Sequence, residues 1–268
     1  MEIFSGRRRR LPARRNAPID PLTTPPADHP ADSPRLTILE HLEELRLRLT
    51  VCVIAVVAGT FASFGFAPRL LEWLRKPAGP SLQTLAFFSP TEAFGAYMKL
   101  AIACGIALAM PVMLFQIWRF VRSGLTWRER LYGALFVWCG SALFVAGLAF
   151  AYWVCLPLFL RFLLSIGAPT LQPVVSIGHY LSFVTGVMLS CGVLFELPLV
   201  IVLLTRMGML MPESLQKHRA AAVLTLLIIA ACVTPTTDAV SLLVMTVPLL
   251  VLYELSIWLA ILTHRSGR

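Results

Sequence analysis

The chain has 268 residues, of which 57% are hydrophobic and only 14% are charged, and its formal net charge is +9. Soluble domains carry about 25% charged residues, whereas apolar runs of about 20 residues, long enough to cross a bilayer, recur along this chain. The composition excludes an ordinary soluble enzyme and predicts a protein embedded in the bilayer. In a membrane protein, Lys and Arg gather in the cytoplasmic loops, and this explains the excess of basic residues better than nucleic-acid binding does. No nucleic-acid partner is therefore expected.

The first 35 residues are basic and rich in proline, with four consecutive arginines at Arg7–Arg10. Proline breaks helices, and the apolar stretch of a cleavable signal peptide does not follow the arginines. We predict a disordered basic tail over residues 1–35, which sets the orientation of the chain or touches anionic lipid. Residues 36–264 are then the membrane domain, and 265–268 a short cytoplasmic tail.

The rest of the chain predicts an all-α membrane protein with six transmembrane helices. Pro111, Pro198 and Pro248 lie inside three of these helices and should kink them, because proline removes a backbone donor. Kinked helices of this kind would shape a concave face toward the fourth and fifth spans. The predicted spans are residues 46–67, 92–121, 131–157, 179–206, 220–233 and 239–262.

The last two spans are short. As a helix, Ala220–Val233 measures about 21 Å, against a hydrocarbon core of about 30 Å. Two interpretations stay open: the pair thins the bilayer locally, or flanking residues extend the helices to full length.

The orientation follows from the distribution of basic residues. An even number of spans places both termini on one side, which then holds eighteen Lys and Arg residues against four on the other. Basic residues gather on the cytoplasmic side. Both termini are therefore predicted to be cytoplasmic.

Two carboxylates are candidates for binding a cationic ligand at that surface. Glu44 lies directly before the first span, and Glu129 lies in the loop between the second and third spans. Each could take one guanidinium in a bidentate pair. The alternative, favoured by spacing alone, is that Glu44 pairs with Arg48 and Glu129 with an adjacent arginine as surface ion pairs.

Glu196 is predicted to lie in the middle of the fourth span. A carboxylate at that depth is costly and marks a functional site by default, and it is expected to be protonated or to bond a polar group such as Gln116. A secondary transporter that uses Glu196 as a protonation site is the rival hypothesis. Such transporters are built from inverted repeats, and the sequence shows none.

Other charged residues favour structural roles. Glu92 and Lys99 are seven residues apart and share one face of the second span, and Glu254 lies toward the cytoplasmic end of the sixth. The six cysteines lie singly in apolar runs, and the five histidines form no pair within a span. No metal, no cofactor and no enzymatic activity are expected.

Taken in order, the motifs resemble the TatC family, the receptor subunit of the twin-arginine protein translocase. The resemblance runs from about Leu39 to Ile261. It rests on the segments 41–48, 89–94, 111–121, 124–129, 150–152, 180–183, 192–198, 234–241 and 248–254, which include the motif residues His41, Glu92, Lys99, Asp238 and Glu254. The chain departs from the family at Ser123-Gly124-Leu125, where proline is usual at the first position, and in its basic tail.

The resemblance implies a receptor in the bacterial inner membrane that binds the paired arginines of signal peptides on folded precursors. It implies that Glu44 and Glu129 are the binding carboxylates, with Arg46 and Phe120 in or beside the site. It also implies that Glu196, with Gln116 near it, meets partner helices of the single-span subunits TatA and TatB, which dock at the last two spans. Other copies of the chain are expected in the complex, and the proton gradient is expected to drive export.

Overall fold

The computed structural model describes residues 34–82, 85–121, 133–165, 174–234 and 238–265, with side chains for these residues except 34–41, 80–82 and 263–265. The predicted tail over 1–35 lies almost wholly outside the described residues. Within them the chain is helical, and its β-structure is one isolated bridge between Ala86 and Ser176. The helices are α1 Pro34–Phe64, α2 Ala67–Arg75, α3 Pro90–Val121, α4 Gly133–Phe150, α5 Leu156–Ser165, α6 Ile177–Phe195, α7 Leu197–Arg206, α8 Pro212–Lys217, α9 Arg219–Val233 and α10 Ala239–Arg265.

Five described helical stretches are long and apolar enough to cross a membrane, which confirms the all-α membrane class. They are Leu42–Phe64, Pro90–Val121, Gly133–Ser165, Ile177–Arg206 and Ala239–Leu262. The predicted fifth span corresponds to α9, which has only 15 residues, or about 22 Å. The count of six spans depends on this short helix and stays a prediction.

The third apolar stretch is longer than predicted, because the helix continues past residue 157 to Ser165. Pro157 has no N–H to donate, and its ring would clash with the preceding turn of a regular α-helix. The turn before it, Ala151–Cys155, is a π-helix, in which the N–H of Leu156 bonds to the carbonyl of Ala151. This wider turn accommodates the proline and lets α4 and α5 form one continuous helical rod.

The other prolines behave differently from one another. α3 and α10 continue without interruption through Pro111 and Pro248. The fourth span does break, at Glu196, and Pro198 lies in the first turn of α7. A proline in a first turn costs no helical hydrogen bond, because the N–H groups there have no partner within the helix. The fourth span is thus interrupted at Glu196, two residues before the proline, and the kinks at the three prolines stay predictions.

The short helix α2 was not predicted. Leu71 and Leu74 bury its inner face, and two tyrosine hydroxyls bond carbonyls of its last turn. Tyr152 donates to the carbonyl of Trp73 at 3.0 Å and Tyr180 to that of Leu74 at 2.7 Å. Carbonyls at a helix C-terminus need such partners, so the two hydroxyls fix α2 against the helices that carry them.

The core lies where α6 packs against α3 and α4 and where α10 packs against α7 and α9. Its largest fully buried side chains include Phe144, Leu181, Met245 and Leu249. At one end of these helices, Ile177 donates to the carbonyl of Ala86 at 2.9 Å, which ties the segment before α3 to the start of α6. The core therefore fixes α3, α4 and α6 relative to one another, and these helices position the candidate site.

Candidate functional site

Glu44 lies on the side of α1 that faces other helices. The half-buried residues of α1 recur at helical spacing, at Glu44, Arg48, Cys52, Gly59 and Thr60, while Leu45, Leu47 and Leu49 are exposed. Glu44 also forms an ion pair with Arg48, one turn further along. The ion pair between Glu44 and Arg48, which spacing alone favoured, is therefore present. Glu44 also lies on the same line of half-buried residues as Gly59 and Thr60, through which α1 meets α3.

α1 and α3 run antiparallel and approach closely at a pair of glycines. A Cβ on Gly105 would lie 2.4 Å from the hydroxyl of Thr60, and one on Gly59 would lie 2.8 Å from the carbonyl oxygen of Gly105. Further along α1, Phe64 contacts Phe94, with ring centroids 6.5 Å apart. Small residues permit such close helix packing in membranes. The crossing therefore fixes the height of α1 relative to α3.

Glu44 and Phe120 lie the same number of residues from that crossing, toward the same end of the two helices. Glu44 lies fifteen residues before Gly59, and Phe120 lies fifteen residues after Gly105, so each is about 22 Å from the crossing. Because the helices are antiparallel, Glu44 and Phe120 lie toward the same end of the α1–α3 pair. Phe120 is half-buried near the described end of α3.

The remaining predicted members of this site are not all brought together. Arg46 is exposed on α1, on a different face from Glu44, and Gln116 is half-buried one turn before Phe120. Glu129 lies in 122–132, outside the described residues, as does the side chain of His41. The segment that carries Glu129 connects α3 to α4 at the end where Phe120 lies.

Glu196 is buried at the break between α6 and α7, with 5% of its surface exposed. Neither carboxylate oxygen has a hydrogen-bond partner among the described residues, so the predicted bond to Gln116 is not formed. The carboxylate lies beside Gly140 of α4, where an added Cβ would be 3.2 Å from Oε2. No local sequence pattern indicates that Gly140 makes room for this group.

Glu92 and Lys99 both face α6, in agreement with the prediction that they share one face of the second span. Glu92 accepts hydrogen bonds from the hydroxyl of Ser176 and, at 3.2 Å, from the N–H of Gly178. Lys99 donates to Ser182 at 2.9 Å. These bonds hold the start of α6 against α3, and Ser176, which the sequence analysis did not single out, is the central partner.

The remaining family-motif acids lie on α10. Asp238 accepts a hydrogen bond from the N–H of Ser241 at 2.7 Å, as an N-terminal capping residue does. Glu254 pairs with Arg219 of α9 at 2.9 Å, with both side chains about half exposed. Tyr253 donates to the carbonyl of Leu215 in α8. These contacts hold α8 and α9 beside α10.

A groove of about 600 Å³ lies between α9 and the helices on either side of Glu196. Leu194, Leu197 and Val200 line one wall, and Ala222, Thr225 and Ile229 of α9 line the other.

Within the described part of the chain, no cluster of three or more His, Cys, Asp or Glu residues is placed to hold a metal ion.

Comparison with known proteins identifies the family. The family model of the Sec-independent protein translocase protein (TatC) matches residues 40–248. TatC of Carboxydothermus hydrogenoformans is 39% identical over 84% of this chain and 93% of its own length. TatC of Aquifex aeolicus is 35% identical over 87% of this chain and 98% of its own.

A solved structure agrees with these sequences. The crystal structure of a twin-arginine translocase receptor, TatC, superimposes with a TM-score of 0.71 at 36% identity and covers 83% of this chain and 98% of that one. The chloroplast TatC protein of Arabidopsis thaliana is 36% identical over 87% of this chain and 69% of its own length. The chain therefore belongs to the TatC family and is a multi-pass membrane component of the twin-arginine protein translocase.

Proposed function

We propose that this chain is the receptor subunit that binds the paired arginines of signal peptides on folded precursors at the cytoplasmic face of the bacterial inner membrane. The observation that carries the proposal is that Glu44 on α1 and Phe120 on α3 lie toward the same end of the antiparallel pair, each about 22 Å along its helix from the crossing. The loop with Glu129 continues from that end of α3. Two carboxylates beside an aromatic ring suit a pair of guanidinium groups.

The ion pair between Glu44 and Arg48 supports this chemistry. It supports the proposal because the Glu44 carboxylate already takes a guanidinium, that of Arg48, along the half-buried line of α1. The planar fork of arginine matches a carboxylate in two places at once, whereas the ammonium of lysine is a point charge. Discrimination between a twin-arginine and a twin-lysine signal follows from that difference.

The proposal extends to partners. We infer that Glu196 and the groove beside α9 receive the single helices of TatA and TatB, and that export uses the proton gradient. Glu196 supports this, because a buried carboxylate without a partner is stabilised when a polar group arrives. Gln116 and further copies of the chain belong to the same assembly. The role is recognition and assembly, without catalysis or a cofactor.

One observation favours the rival, a proton-coupled transporter of small solutes. The fourth span is interrupted at Glu196, and transporters often carry their sites on interrupted helices. Uptake of a solute by the reconstituted chain alone, down a pH gradient, would support that rival and contradict the receptor proposal.

Photo-crosslinking of a twin-arginine signal peptide to the chain in membranes tests the receptor site. Glu44→Gln and Glu129→Gln should each reduce the crosslinking yield at least about tenfold, because each leaves one guanidinium without its charged partner. The exposed neighbour Glu43→Gln, on another face of α1, is the matched control and should leave the yield unchanged. Equal crosslinking of arginine and lysine peptides would refute the proposed site.

A further inference from the structure

A cavity of about 350 Å³ lies among α2, α3, α4 and α6, separate from Glu196 and from the groove beside α9. Trp73, Leu100, Ala107, Leu148, Trp153 and Met188 are among its lining residues. We propose that this cavity is a lipid site, which holds the acyl chain of an anionic phospholipid whose phosphate lies against the basic face of α2.

The lining offers little that is polar to a ligand. Besides its two tryptophans and the weakly polar Cys104, the cavity is lined by two hydroxyl side chains, Tyr152 and Thr185, and both hydroxyls are engaged within the protein. Tyr152 donates to the carbonyl of Trp73, and Thr185 donates to the carbonyl of Leu181 at 2.6 Å. Water has no partners in such a place. The cavity is suited to hydrocarbon.

The apolar lining distinguishes an acyl chain from an extended polypeptide. An extended peptide would leave its backbone groups without hydrogen bonds. A cavity of about 150 Å³ holds one benzene molecule, so this one, of about 350 Å³, has room for about fourteen carbon atoms of a lipid chain.

The charge beside the cavity identifies the class of lipid. Residues 67–76 contain three basic side chains and one acidic side chain, a net charge of +2. Arg69, Trp73 and Lys76 recur at i, i+4 and i+7 and share one face of α2, and Arg69 and Lys76 are exposed. Glu72 lies one turn from both Arg69 and Lys76, on the side of α2 away from the cavity-lining Leu70 and Leu74. Arg69 lies one helical turn from Trp73, which lines the cavity, so a phosphate bound to Arg69 would lie beside the cavity wall.

The wall of the cavity is also a fixed structure. Trp73 stacks on Tyr152 with ring centroids 3.8 Å apart and planes 3° from parallel. Tyr152 and Trp153 belong to the π-helical turn before Pro157, and π-helical turns are frequent at functional sites. The stacked pair and the tyrosine bonds to α2 keep the basic helix beside the cavity, so a lipid finds a preformed site.

The test uses the full chain reconstituted in nanodiscs that contain either phosphatidylglycerol or phosphatidylcholine with a photoreactive diazirine on the acyl chain. Mass spectrometry of the labelled peptides should place phosphatidylglycerol adducts within residues 70–74 and 145–153. Ala107→Phe fills the cavity and should reduce these adducts at least about tenfold. Ala142→Phe, on an exposed position of α4 outside the cavity, is its matched control.

The headgroup has its own variants, which alter only exposed side chains. Arg69→Gln and Lys76→Gln should each weaken labelling by phosphatidylglycerol about fivefold, while Glu72→Gln should strengthen it. Equal labelling by the two lipids, or adducts confined to other segments, would overturn the proposal. A photoreactive residue in place of Leu189 gives an independent result: a lipid adduct supports the proposal, and a protein adduct assigns the cavity to a partner helix.

Discussion

Carboxylates in the helical part of this chain differ in burial and in whether they have partners. Glu92 accepts several hydrogen bonds and Glu254 has an ion pair, whereas Glu196 has neither among the described residues. A buried acceptor without a donor costs about 1–3 kcal/mol. The isolated chain therefore bears a cost at Glu196 that a structural role does not explain.

Glu196→Leu should raise the stability of the isolated chain and abolish its assembly. Replacing the carboxylate with a side chain of similar size removes an unsatisfied group, so the free energy of unfolding should rise by about 1–3 kcal/mol. Thermal unfolding of the purified protein measures the gain, and co-purification of TatA and TatB measures the loss.

Glu254→Leu is the matched control for that experiment. It removes a carboxylate that already pairs with Arg219, so it should not stabilise the chain. Stabilisation by both variants to the same degree would mean that hydrophobicity, and not the missing partner, explains the effect at Glu196.

Sequence reasoning located the important residues better than it located their contacts. The mid-span carboxylate at Glu196 was recognisable from its apolar surroundings, and the shared face of Glu92 and Lys99 followed from helical spacing. The partners Ser176 and Gly140 could not be found in this way. They come from distant parts of the chain, and the interhelical geometry that selects them leaves no local pattern.

At the scale of elements, the link between α1 and α3 depends on close packing. Most of the large side chains of α1 are exposed, and its approach to α3 is closest where Gly105 meets Thr60. The proposed site needs α1 at a fixed height, because Glu44 must lie level with Phe120.

Gly105→Val should separate α1 from α3 and weaken signal-peptide crosslinking together with stability. A new side chain would overlap the backbone of Thr60, and overpacking typically costs about 1–3 kcal/mol. Thermal unfolding and peptide crosslinking are the two measurements.

Gly95→Val is the control, because it changes the same helix at a position where an added Cβ meets nothing within 4 Å. Its thermal stability and its signal-peptide crosslinking should both stay near wild type. Wild-type crosslinking by Gly105→Val would show that the crossing does not position Glu44.

The apolar helices were predictable, including the short α9, whereas α2 and α8 were not. Apolar length alone gave the second, fourth and sixth predicted spans to within about three residues. The helix α2 is too short for a periodic signal to be distinct, and its position depends on the hydroxyls of Tyr152 and Tyr180. The third helical stretch runs beyond its predicted end at residue 157, because the π-helical turn lets the helix continue through Pro157 to Ser165.

At the scale of the whole molecule, the distribution of basic residues predicts that both termini are cytoplasmic. This orientation can be tested by labelling two variants, each with one cysteine at an exposed position, in a chain whose native cysteines have been replaced. Ser165→Cys, at the end of α5, should react with a membrane-impermeant maleimide added to intact cells. Gln216→Cys, in α8, should react only after the membrane is opened. The reverse pattern would invert the topology and move Glu44 to the other face.

The ion pair between Glu44 and Arg48 has a consequence for turnover. In the proposed function, a signal-peptide arginine gains no salt bridge at Glu44; it takes over one that exists already. Recognition there exchanges a pair within one helix, worth about 0.3–0.5 kcal/mol, for a bidentate pair with the peptide, so the net gain at Glu44 is smaller than that of a wholly new salt bridge. The reverse exchange has a ready partner, since Arg48 remains one helical turn away to reclaim the carboxylate. A receptor built in this way can release its cargo without any step that first breaks a strong bond.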